Sequence, residues 1–201
     1  MLTIRKQCGL TLVELIVVVA ILAILAGGVV PLVSQHAANG RQTAANASLT
    51  EIRNAIVGTP NAPGYLSDTG QFPATLRDLF IQPVGIPAFD RNTNLGWRGP
   101  YLLNANATYP ATNAYGTIGD PALLDPWGNP FILQIPTSGT SAPNNIAFAR
   151  IISADPNGII DTSPAAVDSG APLPYNTNPY PLPSARGDDL VLFVNHSDSN
   201  P

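Results

Sequence analysis

Apolar residues follow two different patterns along the chain, and the pattern changes near residue 33. Residues 9–33 read GLTLVELIVVVAILAILAGGVVPLV, an apolar run that contains a single ionisable residue, Glu14. A run of about 20 apolar residues is long enough to cross a bilayer as a helix. Arg5 and Lys6 precede the run, and basic residues favour the cytoplasmic side of a membrane. The pattern predicts a membrane-spanning helix over 10–33, with the rest of the chain on the far side.

The second pattern has the period of an amphipathic helix. Ala45, Leu49, Ile52 and Ile56 recur at helical spacing, with polar residues between them. We therefore expect the first helix to continue over 34–58, with its apolar face against the remainder of the protein. The Gly-Thr-Pro sequence that begins at Gly58 is predicted to end it.

Residues 59–201 are predicted to form a soluble α+β head with a C-terminal loop and strand. A short helix is expected at Pro73–Phe80. Strands are expected at Phe131–Ile135, Ile146–Ile152 and Leu190–Val194, where β-branched or aromatic residues are bounded by turn signals. The predicted architecture is therefore a long N-terminal helix packed on a small antiparallel sheet.

Long loops are predicted to connect these elements. Asn104–Gly119 is rich in Asn, Ala and Thr and is expected to be an exposed insertion. Ser153–Gly187 contains prolines throughout, and loops of this length are usually functional or disordered. Trp97 and Trp127 lie in the turn-forming sequences WRGPY and DPWGNP, and their rings are expected to fill the core.

Composition and charge narrow the function classes. The chain has 9 basic and 13 acidic residues, and its one cysteine and one lysine both lie within residues 1–9. Without those nine residues the net charge is −6, and the head has no basic stripe, which argues against a nucleic-acid partner. Because the one cysteine is Cys8, residues 10–201 contain no thiol and can form no disulfide. The sequence has no nucleophile elbow, phosphate loop or metalloprotease motif, so we predict no enzymatic activity.

Glu14 needs an explanation, because an ionisable group in a membrane helix costs about 2.5–3.5 kcal/mol on insertion scales. A secretory signal peptide has a shorter apolar core that is followed by a cleavage site. A plain membrane anchor explains the length of the run but has no use for a carboxylate. A partner for the Glu14 carboxylate would offset the cost.

The sequence GLTLVE at residues 9–14 resembles the processing site of type IV pilins and of type II secretion pseudopilins. The resemblance implies that a prepilin peptidase removes the leader, residues 1–9, by cutting after Gly9, and methylates the new N-terminus on Leu10. Glu14 becomes the fifth residue of the mature chain, which is a glutamate in this family. Pro31 matches a proline that is common at the twenty-second mature position. Leu10 departs from the family, where phenylalanine or methionine is more usual.

The resemblance also assigns roles in assembly. As a hypothesis, Glu14 pairs with the Leu10 amine of a neighbouring subunit when the N-terminal helices stack into a filament, because opposite charges attract strongly where the dielectric is low. Gly27, Gly28 and Pro31 are expected to weaken the helix near its middle, either as an ordinary kink or by local melting during assembly.

The implied function is that of a structural filament subunit. WRGPY, DPWGNP and residues 153–194 resemble the head of the major pseudopilin, which favours a type II secretion pseudopilus. The alternatives are a type IV pilin of a surface filament, used for adhesion or motility, and a membrane-anchored binding domain that does not polymerise. Expected partners are other copies of the chain, the prepilin peptidase, an inner-membrane assembly platform, and minor pilins or pseudopilins. The precursor is expected in the inner membrane, and the mature chain in a periplasmic or extracellular filament.

A calcium site is predicted in the last part of the head. The candidate ligands are oxygen-bearing side chains on loops with glycine, which suit calcium: Asp155, Asn157, Asp161, Asp188 and Asp189. Their spacing is not that of an EF-hand, because the glutamate at the twelfth position is missing. Two ordinary turns also explain these residues, while the family resemblance implies a calcium-binding acidic loop in this region.

Overall fold

The computed structural model describes residues 11–103, 105–113, 115–135, 149–162 and 188–194, with the backbone alone at 25–33. Contacts divide the chain into two units, Met1–Gln42 and Thr43–Pro201. The fold is α+β, as predicted: a long N-terminal helix, whose second part belongs to the unit that contains small antiparallel sheets.

Helix α1 spans Leu12–Val57. Its first turn is capped by the Thr11 hydroxyl, which accepts a hydrogen bond from the Glu14 backbone N–H at 3.3 Å. The backbone stays helical through Gly27, Gly28 and Pro31, so these residues do not interrupt the helix in the single chain. In the part of the chain that the structure describes, no helix has the length and hydropathy needed to cross a membrane.

Helix α1 ends where a glycine turns the chain back on itself. Gly58 has a φ of 95°, which favours glycine. It begins strand β1 (Gly58–Thr59), which pairs antiparallel with β2 (Ala62–Pro63). A Cβ on Gly64 would lie 2.6 Å from the backbone carbon of Val57, so only glycine fits where the hairpin returns to the helix end.

The core of the second unit forms against the predicted apolar face of α1. Ala45, Leu49, Ile52 and Ile56 are all at most 2 % exposed, which confirms the helical periodicity. Leu49, Ile52 and Ile56 pack in one cluster with Tyr65, with Leu76 and Leu79, with Phe131, and with Leu133 and Ile151 of the central sheet. Burial of these aliphatic side chains is the main driving force for folding of this unit.

The central sheet has three strands in the order β5 (Ile132–Gln134), β6 (Arg150–Ser153) and β7 (Leu190–Phe193). Both pairings are antiparallel, with Leu133 opposite Ile151 and Ile151 opposite Leu192. The three strands match the predicted ones where the structure describes them; residues 146–148 of the second prediction lie outside the described residues.

Two short helical elements follow the first hairpin. Helix α2 (Tyr65–Thr69) was not predicted; it has only five residues and ends at Gly70, whose φ is 69°. The predicted helix at Pro73–Phe80 is a single 3₁₀ turn, Leu76–Leu79, opened by a capping box between Thr75 and Asp78. Leu76 and Leu79 of this turn are buried in the core.

The prediction of an exposed insertion at Asn104–Gly119 is wrong for its centre. Tyr109 is 2 % exposed, and its hydroxyl donates a hydrogen bond to the Phe131 carbonyl at 3.1 Å. Next to it, strand β3 (Ala107–Thr108) pairs antiparallel with β4 (Pro121–Ala122). The Tyr109 side chain therefore anchors the centre of this segment in the buried part of the head.

The WRGPY sequence fixes a second long connection to the core. Trp97 packs against the core cluster and donates its indole N–H to the Asp78 carbonyl at 3.1 Å. Arg98 pairs with the buried Asp68 at 3.1 Å, and the Tyr101 hydroxyl donates to the same carboxylate at 3.0 Å. Asp68 is buried in α2 and anchors this connection.

Candidate functional sites: the N-terminal helix and an acidic loop cluster

The start of α1 exposes an unusual amount of apolar surface. Ten large aliphatic side chains between residues 12 and 24 are 47–76 % exposed, and they lie on all sides of the helix. Soluble proteins rarely leave a contiguous apolar surface of this kind without a partner. This part of α1 can therefore associate with other apolar matter, either lipid or helices of the same kind.

Glu14 is exposed within this apolar surface. Among the described residues, none forms an ion pair with its carboxylate. Gly9 and Leu10, the predicted processing site, lie outside the described residues, as does the side chain of Pro31. The pairing predicted for Glu14 in a filament stays a prediction.

A second candidate site lies where β6 ends and β7 begins. The acidic residues of two loops meet there. Asp155 follows β6 with a left-handed φ of 52°. The Asn157 amide donates to Asp188 Oδ1 at 2.5 Å, which joins the loop after β6 to the residues that precede β7. The structure therefore brings together predicted ligands that are 31 residues apart in sequence.

The pKa of Asp155 is raised, in part because other carboxylates lie nearby. Burial, together with the negative charges of Asp188, Asp125 and Asp189, raises the pKa of Asp155 from 3.8 to about 6. Carboxylates that repel one another in this way are stabilised when a cation binds between them.

Asp189 is the most buried of the predicted ligands, at 4 % exposed. Its Oδ2 accepts two hydrogen bonds of 2.7 Å from Thr162, one from the backbone N–H and one from the hydroxyl. Its Oδ1 is buried and has no hydrogen-bond partner among the described residues. Burial raises the pKa of Asp189 and the Asp161 charge adds to that rise, while hydrogen bonds from Thr162 and from the Asp161 backbone N–H oppose it. A buried carboxylate oxygen without a partner fits a site for a cation.

The DPWGNP turn supports this cluster, a role that its sequence did not reveal. Asp125 is buried; its Oδ1 accepts hydrogen bonds from the backbone of Trp127 and Asn129, and its Oδ2 accepts one from Ser153 at 2.6 Å. The Asn129 amide donates to the Asp155 carbonyl at 2.9 Å. Trp127 is half-buried and, unlike Trp97, does not pack against the core cluster of the described residues, so the prediction that its ring fills the core is wrong. Asp125 and Asn129 were assigned only to turn formation, because the contacts to residues 153 and 155 are non-local.

The cluster as described is not a closed metal site. Within the described ranges, no three histidine, cysteine, aspartate or glutamate side chains stand close enough to hold one ion together. Four of the five predicted ligands are aspartates, so in the single chain the predicted ligands do not converge on one ion. The charges of neighbouring carboxylates contribute to the raised pKa of Asp155, and a cation that drew these side chains together would relieve their repulsion.

Comparisons with known proteins show which family the chain belongs to. The prokaryotic N-terminal methylation motif matches residues 4–30. A type II secretion system core protein G of Pseudomonas aeruginosa is 32 % identical over 142 residues, which cover 69 % of this chain and 80 % of that protein. The chain belongs to the family of the type II secretion system core protein G.

A second relative extends the match within the family. The type II secretion system core protein G of Xanthomonas campestris pv. campestris is 28 % identical over 134 residues, which cover 66 % of this chain and 72 % of the relative. No solved structure gives a significant match. Pilins and pseudopilins are structural proteins, so the prediction of no enzymatic activity is confirmed by the family.

Proposed function

We propose that this protein is a structural subunit of a type II secretion pseudopilus. A prepilin peptidase cuts after Gly9, and the mature chain, beginning at a methylated Leu10, polymerises through its N-terminal helix. Before assembly, residues 10–33 lie in the inner membrane, and the head is on the periplasmic side. An assembly platform in the inner membrane adds subunits, and minor pseudopilins join the filament.

The observation that supports polymerisation most directly is the exposed aliphatic surface of residues 12–24. In the filament these side chains are covered by the same segment of neighbouring copies. Glu14 lies within that surface, and a buried carboxylate needs a partner of opposite charge. The N-terminal amine of a neighbouring Leu10 supplies it.

The experiment compares Glu14→Gln with Glu51→Gln, which changes another exposed glutamate of the same helix. Both variants are produced with an assembly system, and cross-linked oligomers are measured in membrane extracts. Breaking a buried ion pair costs about 3–5 kcal/mol, so Glu14→Gln should insert at the wild-type level and yield no polymers. Glu51→Gln should polymerise normally. Normal polymers from Glu14→Gln would refute the pairing.

A second proposal concerns the acidic cluster: we propose that calcium draws oxygens of Asp155, Asn157, Asp161, Asp188 and Asp189 together around one ion. It is supported by the buried Oδ1 of Asp189, which has no hydrogen-bond partner among the described residues, and by the burial and neighbouring negative charges that raise the pKa of Asp155. Bound calcium would join the loop after β6 to β7 and so stabilise the end of the sheet.

Thermal unfolding with and without calcium tests this proposal. At a calcium concentration 100 times its dissociation constant, binding stabilises the folded state by about 2.7 kcal/mol. Asp188→Asn should lose most of this gain. Asp90→Asn, which changes an exposed carboxylate in a turn outside the cluster, should keep it. No shift of the wild-type melting temperature at millimolar calcium would rule the site out.

A further inference from the structure

A β-turn in the loop after the 3₁₀ turn presents a fully exposed valine. The Ile86 N–H donates to the Pro83 carbonyl at 3.3 Å, and Gly85 has a φ of 92°, as the third residue of a type II turn requires. The Gln82 amide donates to the Ile86 carbonyl at 2.8 Å and closes the base of the turn. Val84 stands at the apex and is fully exposed. Because this turn is already ordered, little conformational entropy is lost when it meets a partner.

The same head contains a cleft of about 420 Å³ between α1, the β1–β2 hairpin and the WRGPY sequence. It is lined mainly by small and apolar residues: Ala55, Ala62, Pro63, Pro100 and Tyr101. The charged residues that line it are Glu51 and the pair formed by Asp68 and Arg98. Arg98 and Tyr101 both contact the buried Asp68, at 3.1 and 3.0 Å, so the WRGPY side of the cleft is fixed to α2. The cleft is therefore formed before any partner arrives.

The turn and the cleft suit each other in polarity and charge. Residues 81–87 read IQPVGIP and carry no charge, so they can enter an apolar cleft without leaving a charge buried and unpaired. Residues 10–201 have a net charge of −6, and Glu51 in the cleft is exposed, so an acidic segment of another copy would be repelled there. Val84 would gain the transfer free energy of the apolar surface that it now exposes to water.

The size of the turn indicates what kind of contact it can make. A four-residue turn buries far less than the about 800 Å² per partner of a stable interface, so this contact cannot hold two free chains together. In the proposed filament the N-terminal helices keep the heads at a high effective concentration, and a weak contact is then sufficient. One helical operation relates all copies, so a projection and a cleft on the same head repeat as one head-to-tail contact along the polymer.

We propose that the turn at residues 83–86 of each head docks in the cleft of the next copy, with Val84 inserted between α1 and the β1–β2 hairpin. This inference rests on the proposed polymerisation and assigns the head surfaces that take part in it. The N-terminal helices supply most of the affinity, and the head contact fixes how neighbouring heads are oriented.

Paired cysteines test the contact directly, because residues 10–201 contain no thiol of their own. Val84→Cys and Ala62→Cys are placed in one chain, which is produced with an assembly system, oxidised and separated on a denaturing gel. Docking brings the two positions of adjacent copies within the Cα–Cα distance of about 4.4–6.8 Å that a disulfide needs. We expect a covalent ladder of trimers and longer oligomers. The matched control combines Ala62→Cys with Leu103→Cys, an apolar position that is 80 % exposed and lies outside both surfaces, and should give monomers.

Val84→Asp measures what the contact contributes to assembly. Since Val84 is fully exposed, this variant should melt at the wild-type temperature, whereas its polymer yield should fall severalfold because a charge would enter the apolar cleft. Leu103→Asp should keep the wild-type yield.

The outcomes separate this contact from the proposed function. Monomers alone from the Val84→Cys, Ala62→Cys chain, under conditions in which the wild-type chain polymerises, would overturn the contact and leave the proposed function standing. Dimers alone would mean that two heads meet around a twofold axis, which also contradicts a head-to-tail contact. A wild-type chain that forms no polymers would overturn the proposed function and this inference together.

Discussion

Helix α1 contains two apolar segments that differ in what covers them. In its later part, Ala45, Leu49, Ile52 and Ile56 form one face that is buried in the core of the same chain. In residues 12–24 the aliphatic side chains lie all around the helix and stay 47–76 % exposed. Folding of a single chain buries the apolar face of the later part of α1. The apolar surface of residues 12–24 can be covered only by lipid or by other chains. The difference shows that folding of the head uses the later part of the helix and leaves the apolar surface of residues 12–24 for the polymerisation proposed above.

The largest effect is expected from matched truncations in the two segments. Ile52→Ala removes fully buried methylene groups from the core and should destabilise the full chain by about 2–5 kcal/mol. Val17 is 50 % exposed, so Val17→Ala should change the free energy of unfolding by less than about 0.5 kcal/mol. Denaturant unfolding in detergent measures both. Equal losses would mean that the early segment already packs within the single chain.

A smaller effect is expected from pH, and it concerns only the head. Asp155 has a raised pKa of about 6, so the folded state binds its proton more tightly than the unfolded state, whose pKa is 3.8. Without calcium, the contribution of Asp155 to stability is therefore greatest below pH 4 and is lost as the pH rises to about 6. Calcium must displace that proton, so the calcium affinity should fall by up to about tenfold per pH unit below pH 6.

Calorimetric titration at pH 5 and pH 7 measures this change in affinity. Polymer formation by residues 12–24 should not follow the same pH profile. An affinity that is independent of pH between these values would show that Asp155 is not a ligand.

The smallest expected effect tests how far the core of the head extends. Tyr109→Phe removes the buried hydroxyl that donates to the Phe131 carbonyl and should cost about 1 kcal/mol, with the ring left in place. Burial and the Asp120 charge raise the pKa of Tyr109 to about 12, so the difference in tyrosinate absorbance between the wild type and Tyr109→Phe should stay small between pH 9 and pH 11 in the folded chain. An unchanged stability of Tyr109→Phe would place this segment outside the cooperative core.

The sequence predicted the elements whose signals are local and repeated. The helical spacing of Leu49, Ile52 and Ile56 identified the buried face of α1, and the β-branched runs located all three strands of the central sheet. Helix α2 was missed because five residues contain too few turns to show a period. Tyr109 was placed in an exposed loop because its polar neighbours hide a single long-range contact.

The two candidate sites also differ in whether their residues are adjacent or distant in the sequence. Residues 9–14 form a local motif, so the family could be predicted from six adjacent residues, and the comparisons confirm the family. The acidic residues of the cluster were also visible in the sequence. Asp125, Asn129 and Thr162 were not assigned to it, because their contacts to Ser153, Asp155 and Asp189 span 26–28 residues and depend on the folded sheet.

The most direct test of the account begins with cells that produce the chain. The cells are sheared, the released filaments and the envelope are separated, and the N-terminus of the chain in each fraction is determined by mass spectrometry. We predict a chain that begins at methylated Leu10 and is retained in the envelope as polymers. Abundant sheared filaments built from this chain would instead make it a surface pilin, and an intact N-terminus at Met1 would contradict both filament functions.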